Sequence, residues 1–222
     1  VADASHELRT PLTVIRGQIE VLAMQSAPAA HEVRRVQRVV QTEVDRMGRL
    51  VEDLLVLART GDDGFLRRAS VPLGSYLHEL VASMDPRGRD LVLEAVPDST
   101  FNLDPDRVAQ AVRNLIENAL AHTPPGGTVL VRAIASVGQS LRIEVDDHGP
   151  GIRPREREAV FDRFHRLEGA RDRAPGGAGL GLSIVQAVAE AHGGRAWADD
   201  APGGGARLLI ELPVVPVRRA GA

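Results

Sequence analysis

Ser5-His6-Glu7-Leu8-Arg9-Thr10-Pro11-Leu12 lies inside a run whose apolar or small residues recur at Val1, Ser5, Leu8, Leu12, Ile15, Ile19 and Leu22. That alternating four-three spacing is the seam of a helix that needs a partner helix. A second run, Val33, Val36, Val40, Val44, Met47, Val51, Leu54 and Ala58, follows the turn-like Ala27-Pro28-Ala29-Ala30, so residues 1–60 read as an all-α helical hairpin. Two amphipathic helices alone cannot cover both of their apolar stripes. Pairing two hairpins into a symmetric four-helix bundle does cover them, which predicts a homodimer.

Beyond the hairpin the pattern changes at Thr60-Gly61-Asp62-Asp63-Gly64, a polar break where few contacts should cross. A linker is expected over 61–70, a second domain over 71–216 and a short tail over 217–222. The second domain reads as a helix around Tyr76 to Met84, strands near Leu91 to Val96 and Thr100 to Leu103, and a helix from Asp104 to His122. Asp104 suits a helix cap and Pro105 the first helical position, where its missing donor costs nothing. Strands over Thr128 to Ala135 and Leu141 to Asp147, a glycine-rich loop, a helix over Leu182 to His192 and strands over Arg195 to Asp199 and Ala206 to Leu212 complete it. This mixture predicts an α+β sandwich, with helices on one face of a mixed sheet.

Composition narrows the function. The 222 residues are 43% hydrophobic with a formal net charge of -3 and 3% aromatic content. This balance offers neither the basic stripe nor the stacking platforms of a nucleic-acid binder. No cysteine is present, which excludes a disulfide framework or a thiolate metal site and agrees with a reducing, cytoplasmic setting. No run of about 18 apolar residues occurs, so no membrane contact is expected within this chain. All 27 basic residues are arginine, a bias that points to a GC-rich bacterial genome and carries no functional weight.

His6 falls beside the seam, facing solvent, and Thr10 stands one turn away on the same face. A lone exposed histidine is more often a bland surface residue. Pro11 changes the setting: inside a helix it removes the hydrogen bond to the Glu7 carbonyl and costs about 3 kcal/mol unless offset. A weakened helix beside an open imidazole suits a group that two different partners must approach. Glu7 could hold the ring tautomer and leave the other nitrogen nucleophilic near neutral pH.

A second constellation begins on the Asp104 to His122 helix, where Asn114 and Asn118 share one edge beside the apolar face of Val108, Val112, Leu115 and Ala119. Mid-helix asparagine is unfavourable, and a half-buried amide needs partners. The two are either solvated or locally bonded amides, or neutral oxygen ligands for a Mg²⁺ whose charge is already matched by phosphates. Asp147 points the way of Leu141, Ile143 and Val145. It serves either a turn or an adenine amine, with Gly149 and Gly151 letting a ring approach the backbone. Gly176-Gly177-Ala178-Gly179-Leu180-Gly181 runs into a helix whose free N–H groups suit phosphates, without the Lys-Ser/Thr ending of a P-loop.

Ser5 to Leu12 closely resembles the H-box of the two-component sensor histidine kinases. The later segments are similar to that family's N, G1, F and G2 boxes. They stand here as Asn114-Leu115-Ile116-Glu117-Asn118-Ala119, Asp147-His148-Gly149-Pro150-Gly151-Ile152, Phe161-Asp162-Arg163-Phe164 and Gly177-Ala178-Gly179-Leu180-Gly181-Leu182. The resemblance covers nearly the whole chain in the family's order. It implies a dimeric phosphoacceptor hairpin followed by a Bergerat-type ATP-binding sandwich, with ATP and Mg²⁺ as cofactors and the receiver domain of a response regulator as partner. By resemblance His6 accepts the phosphoryl group, Glu7 assists as base and Thr10 positions water for dephosphorylating the partner. Asn118 binds Mg²⁺, Asp147 holds adenine, and Phe161 to Gly177 form a mobile lid.

Two details qualify the likeness. ATP-hydrolysing relatives keep a glutamate four residues before the magnesium asparagine, whereas this chain has Asn114 there, which favours transfer to a side chain over hydrolysis. A basic residue often follows the N-box, and here Ala121-His122 stands instead; His122, Arg163 or Arg166 are substitute phosphate contacts, and both arginines read equally as solvated surface charges. The resemblance further implies a longer parent protein anchored in the bacterial inner membrane by a sensor region. The competing readings are a Bergerat-type ATP hydrolase or serine kinase, and a dimeric phosphotransfer scaffold with a decayed ATP site.

Overall fold

The computed structural model describes residues 2–62, 64–136, 140–165 and 178–213. The chain forms two units, Val1–Val56 and Leu57–Ala222.

The first unit is the helical hairpin. Helix α1, Ala2–Ala23, runs as one α-helix through Pro11. Helix α2, Ala30–Arg59, carries Glu32 in its first turn and Arg59 in its last, each on the side that complements the helix dipole. Glu32 also accepts from the Ala29 N–H at 3.2 Å, the reach-back half of a capping box. The seam divides in an informative way. Pro11, Val36 and Leu50 are buried and Leu8, Ile15 and Leu22 half-buried, whereas Leu12, Ile19, Val33, Val44, Val51 and Leu55 stay exposed. One hairpin thus leaves a second apolar stripe open.

The second unit is a two-layer sandwich. Strands β1 (Ala69–Pro72) and β3 (Thr100–Leu103) pair antiparallel as a small ribbon. The main sheet contains β2 (Asp90–Leu93), β4 (Thr128–Ser136), β5 (Ser140–Asp146), β6 (Arg195–Asp200) and β7 (Ala206–Pro213) in the order β2-β4-β5-β7-β6. Its β2–β4 pair is parallel and the other pairs antiparallel, so the sheet is mixed as expected. Helices α3 (Leu73–Ala82), α4 (Pro105–His122) and α5 (Gly181–Ala191) supply the other layer.

The alternation of β5 explains how the layers meet. Leu141, Ile143 and Val145 are fully buried together with Val129, Val131, Leu208, Ile210, and, from the helices, Leu77, Val112, Leu115, Ile184 and Val188. The opposite face carries charges that neutralise one another: Arg207 forks onto Asp146 at 2.7 and 2.8 Å, and Arg132 reaches Asp146 at 3.0 Å.

Helix α4 begins as its sequence predicts, with Asp104 accepting from the Arg107 N–H at 2.9 Å and Pro105 next in line. Strand β1 is absent from the sequence expectation, which left residues 69 and 70 in a linker. Phe65 is also buried, with the Arg107 guanidinium 4.6 Å above its ring, and the Arg67 N–H donates to Asp104. The residues that look like a polar bridge are therefore attached to the sandwich from Phe65 onward.

Candidate functional site

His6 is exposed on α1, and the helix repeat places Glu7 and Thr10 beside it. The Thr10 hydroxyl reaches back to the His6 carbonyl at 3.4 Å. Glu7 turns toward α2, where its Oε2 lies 3.9 Å from an Arg46 guanidinium nitrogen. The neighbourhood of His6 therefore holds a carboxylate, a hydroxyl and open solvent.

In the sandwich, Asp147 follows the last residue of β5 and is buried. Its Oδ1 accepts from the Gly149 N–H at 2.8 Å and the Ala206 N–H at 2.9 Å. Burial raises its pKa above the ordinary carboxylate value; those two hydrogen bonds and the charges of His122 and His148 oppose the rise. Two glycines make the seat possible. A Cβ on Gly149 would stand 2.8 Å from the His122 carbonyl oxygen, and one on Gly205 would stand 2.1 Å from the Asp147 carbonyl oxygen. Neither position has room for a side chain.

Asn114, Asn118 and His122 lie at four-residue intervals and so share one edge of α4. Asn114 sits against Gly181, the first residue of α5, its Oδ1 3.5 Å from where a Cβ there would stand. Its Nδ2 is buried without a hydrogen-bond partner among the described residues. At the other end His122 lies against Gly149. The edge therefore joins the start of α5 to the Asp147 turn, eight residues apart or about 12 Å at the helical rise. Asn118 stands half-buried between them.

Gly151 and the buried Ile152 continue the Asp147 turn. Gly179 lies against Phe164, whose N–H donates to its carbonyl at 2.9 Å, so the residues flanking 166–177 are tied together. Leu180 is buried, and Leu182 is half-buried in the first turn of α5. Arg163 is exposed beside Phe164. Arg166, Gly177 and the expected lid beyond His165 lie outside the described residues.

Sequence reasoning missed three contributors. Gly205 receives the Asp147 backbone, and the only signal for it was the Gly203-Gly204-Gly205 run before β7. Thr123 is buried, and its hydroxyl accepts from the His148 N–H at 3.3 Å. The His148 ring nitrogen Nδ1 lies 2.6 Å from the Thr128 carbonyl.

A buried carboxylate framed by glycines is thus joined along one helix edge to the start of α5, in a two-layer sandwich that follows a helical hairpin in the chain. Residues 103–216 match the family described as histidine kinase-, DNA gyrase B- and HSP90-like ATPase, and residues 1–63 match the His Kinase A (phospho-acceptor) domain. The chain belongs to the sensor histidine kinase family. It is 36% identical over 219 residues to the sensor histidine kinase WalK of Bacillus subtilis (strain 168), covering 96% of this chain and 36% of that one. It is 38% identical over 224 residues to the signal transduction histidine-protein kinase BaeS of Escherichia coli (strain K12), covering 96% and 46%. Full-length ShkA, solved in complex with AMPPNP, matches with a TM-score of 0.72 at 31% identity over 98% of this chain and 46% of that one. The chain thus spans less than half the length of these relatives.

Proposed function

We propose that this chain is the phosphotransfer end of a sensor histidine kinase: it moves the γ-phosphoryl group of ATP to His6 and then to an aspartate of a response regulator's receiver domain. The observation that carries the reading is the α4 edge. It joins a seat suited to adenine, at Asp147, to a seat suited to phosphates, at the start of α5, while an asparagine rather than a carboxylate stands at residue 114.

Each residue has a chemical part. Asp147 accepts from the adenine amine, and Gly149, Gly151 and Ile152 let the ring lie close to the backbone. The N–H groups around Gly177, Gly179, Leu180, Gly181 and Leu182 receive phosphate oxygens, helped by the orphaned Nδ2 of Asn114. His122, Arg163 and Arg166 are the phosphate contacts that stand in for a basic residue at Ala121. Among the described residues no three acidic, histidine or cysteine side chains cluster as a metal site. A single neutral oxygen from Asn118, shared with substrate phosphates, is a donor set that fits Mg²⁺, which when bound offsets phosphate charge.

In the transfer itself, the free ring nitrogen of His6 attacks the γ-phosphorus. An N–P bond forms, the bond from phosphorus to the β-bridging oxygen breaks, and ADP leaves. The proton on the other ring nitrogen passes to Glu7. A carboxylate oxygen of the receiver aspartate then takes the phosphoryl group, the N–P bond breaks, and Glu7 returns the proton. Phosphoryl transfer needs positioning and charge stabilisation above all, and this arrangement supplies both. Thr10 orients the water that later dephosphorylates the receiver, with Glu7 beside it.

The hairpin's open apolar stripe supports a homodimer built as a four-helix bundle. No described helix is long and apolar enough to cross a membrane. The relatives are more than twice as long, and this reading makes the chain the cytoplasmic portion of a longer sensor held at the bacterial inner membrane. The test of the chemistry is stoichiometry with labelled ATP. Label retained on the protein, with phosphate release that stops near one turnover, agrees with transfer; sustained phosphate release with no retained label identifies a hydrolase instead.

A further inference from the structure

The stripe of α2 that faces α1 contains two charged residues one turn apart, Glu43 and Arg46, set between the buried Val36 and Leu50. Arg46 approaches Glu7 on α1 at 3.9 Å, and the two side chains are 34% and 32% exposed. That distance is longer than a charge-assisted hydrogen bond, which closes to about 2.7–2.9 Å. Glu43 meanwhile has its Oε2 buried with no hydrogen-bond partner among the described residues. Leaving such an oxygen unpaired costs free energy, and a guanidinium three residues further along the helix is within reach to relieve it. Arg46 therefore approaches the Glu7 carboxylate without closing on it and stands one helical turn from a second, Glu43.

The contact with Glu7 is made through Oε2, so Oε1 is the oxygen that Arg46 does not engage. We infer that Arg46 is a positioning residue that orients Glu7 toward His6, and that Glu43 competes for it. This rests on the reading of His6 as the phosphoryl acceptor. When Arg46 closes on Glu7 the carboxylate is held by one oxygen and presents the other. When Arg46 turns to Glu43, Glu7 loses that orientation while Glu43 gains a partner. The inner layer of the hairpin thus sets how often the base next to His6 is in place.

The experiment measures the rate at which the 222-residue chain takes up label from ATP, at saturating and limiting nucleotide, with melting temperature followed alongside. Arg46→Met should slow labelling roughly tenfold at saturating ATP without changing KM, because the lost effect is orientation of a base. Arg46→Lys should recover much of the rate, and in a Glu7→Gln background Arg46→Met should add nothing further. Glu43→Gln should act in the opposite direction, raising the rate about threefold when Arg46 is present, as removal of a competing ion pair allows. Multiplicative losses in the double variant, failure of lysine to recover the rate, or a slowing by Glu43→Gln would each overturn the inference. Absence of label on His6 in the unsubstituted chain would overturn the underlying reading instead, so the two failures are distinct.

Discussion

In the proposed site Asp147 carries the nucleotide end, and that role can be followed with pH. A group whose folded pKa is raised is favoured in its protonated form; folding stability from that source is fully present below the ordinary value of 3.8 and is lost as pH rises through the raised one. Nucleotide binding has the reverse sign, because only the ionised carboxylate accepts well from an amine. Affinity for an ATP analogue should therefore fall on acidification, with a midpoint above 3.8, and calorimetric titration across pH checks this. Asp147→Asn should bind at least about tenfold more weakly, the loss of one charged hydrogen bond, and should lose that pH dependence. Wild-type affinity and an unchanged pH profile in Asp147→Asn would contradict its role.

At the scale of elements, His192 joins two helices in a way no local pattern announces. The ring is buried just past the end of α5; Nδ1 lies 2.8 Å from the Val188 carbonyl, and Nε2 accepts from the Asp104 N–H, the cap of α4, at 3.3 Å. That pair of bonds requires the neutral ring with its proton on Nδ1. Burial accordingly lowers its pKa from 6.5. A depressed pKa contributes stability that is present above 6.5 and lost as pH falls through the folded value. Urea unfolding should show a decline below pH 6.5 that His192→Gln reduces, with about 1–3 kcal/mol lost by that variant at neutral pH. An unchanged acid limb would remove His192 from the account.

The same scale shows what a sequence can disclose. Helix α4 was legible because Asp104, Pro105 and the Val108–Val112–Leu115–Ala119 face are all local signals, and α5 followed from its glycine approach. Strand β1 was not, because Ala69, Ser70 and Pro72 are exposed with Val71 buried among them, and four such residues become a strand only by pairing with β3. The bond from His192 to Asp104 spans 88 positions, and Gly205 meets Asp147 only because β5 and β7 are neighbours in register. The contact between Glu7 and Arg46 likewise depends on how the hairpin closes. Motif residues were readable where one element holds them, and the residues that seat them were hidden where two distant elements meet.

At the scale of the whole molecule, the open stripe on the hairpin predicts assembly. Leu12 and Ile19 are each about half exposed and seven residues apart, as are Val44 and Val51, the repeat of a helix seam that needs another helix. Light scattering at micromolar concentration should give twice the 23.8 kDa chain mass, and Ile19→Glu with Val44→Glu should return it to one chain. A monomeric unsubstituted chain would refute the four-helix bundle. The central claim, that His6 is where ATP's phosphoryl group lands, is tested most directly by incubation with [γ-³²P]ATP. The account predicts a protein-bound label that is acid-labile, base-stable and missing from His6→Gln; normal labelling of His6→Gln would contradict it.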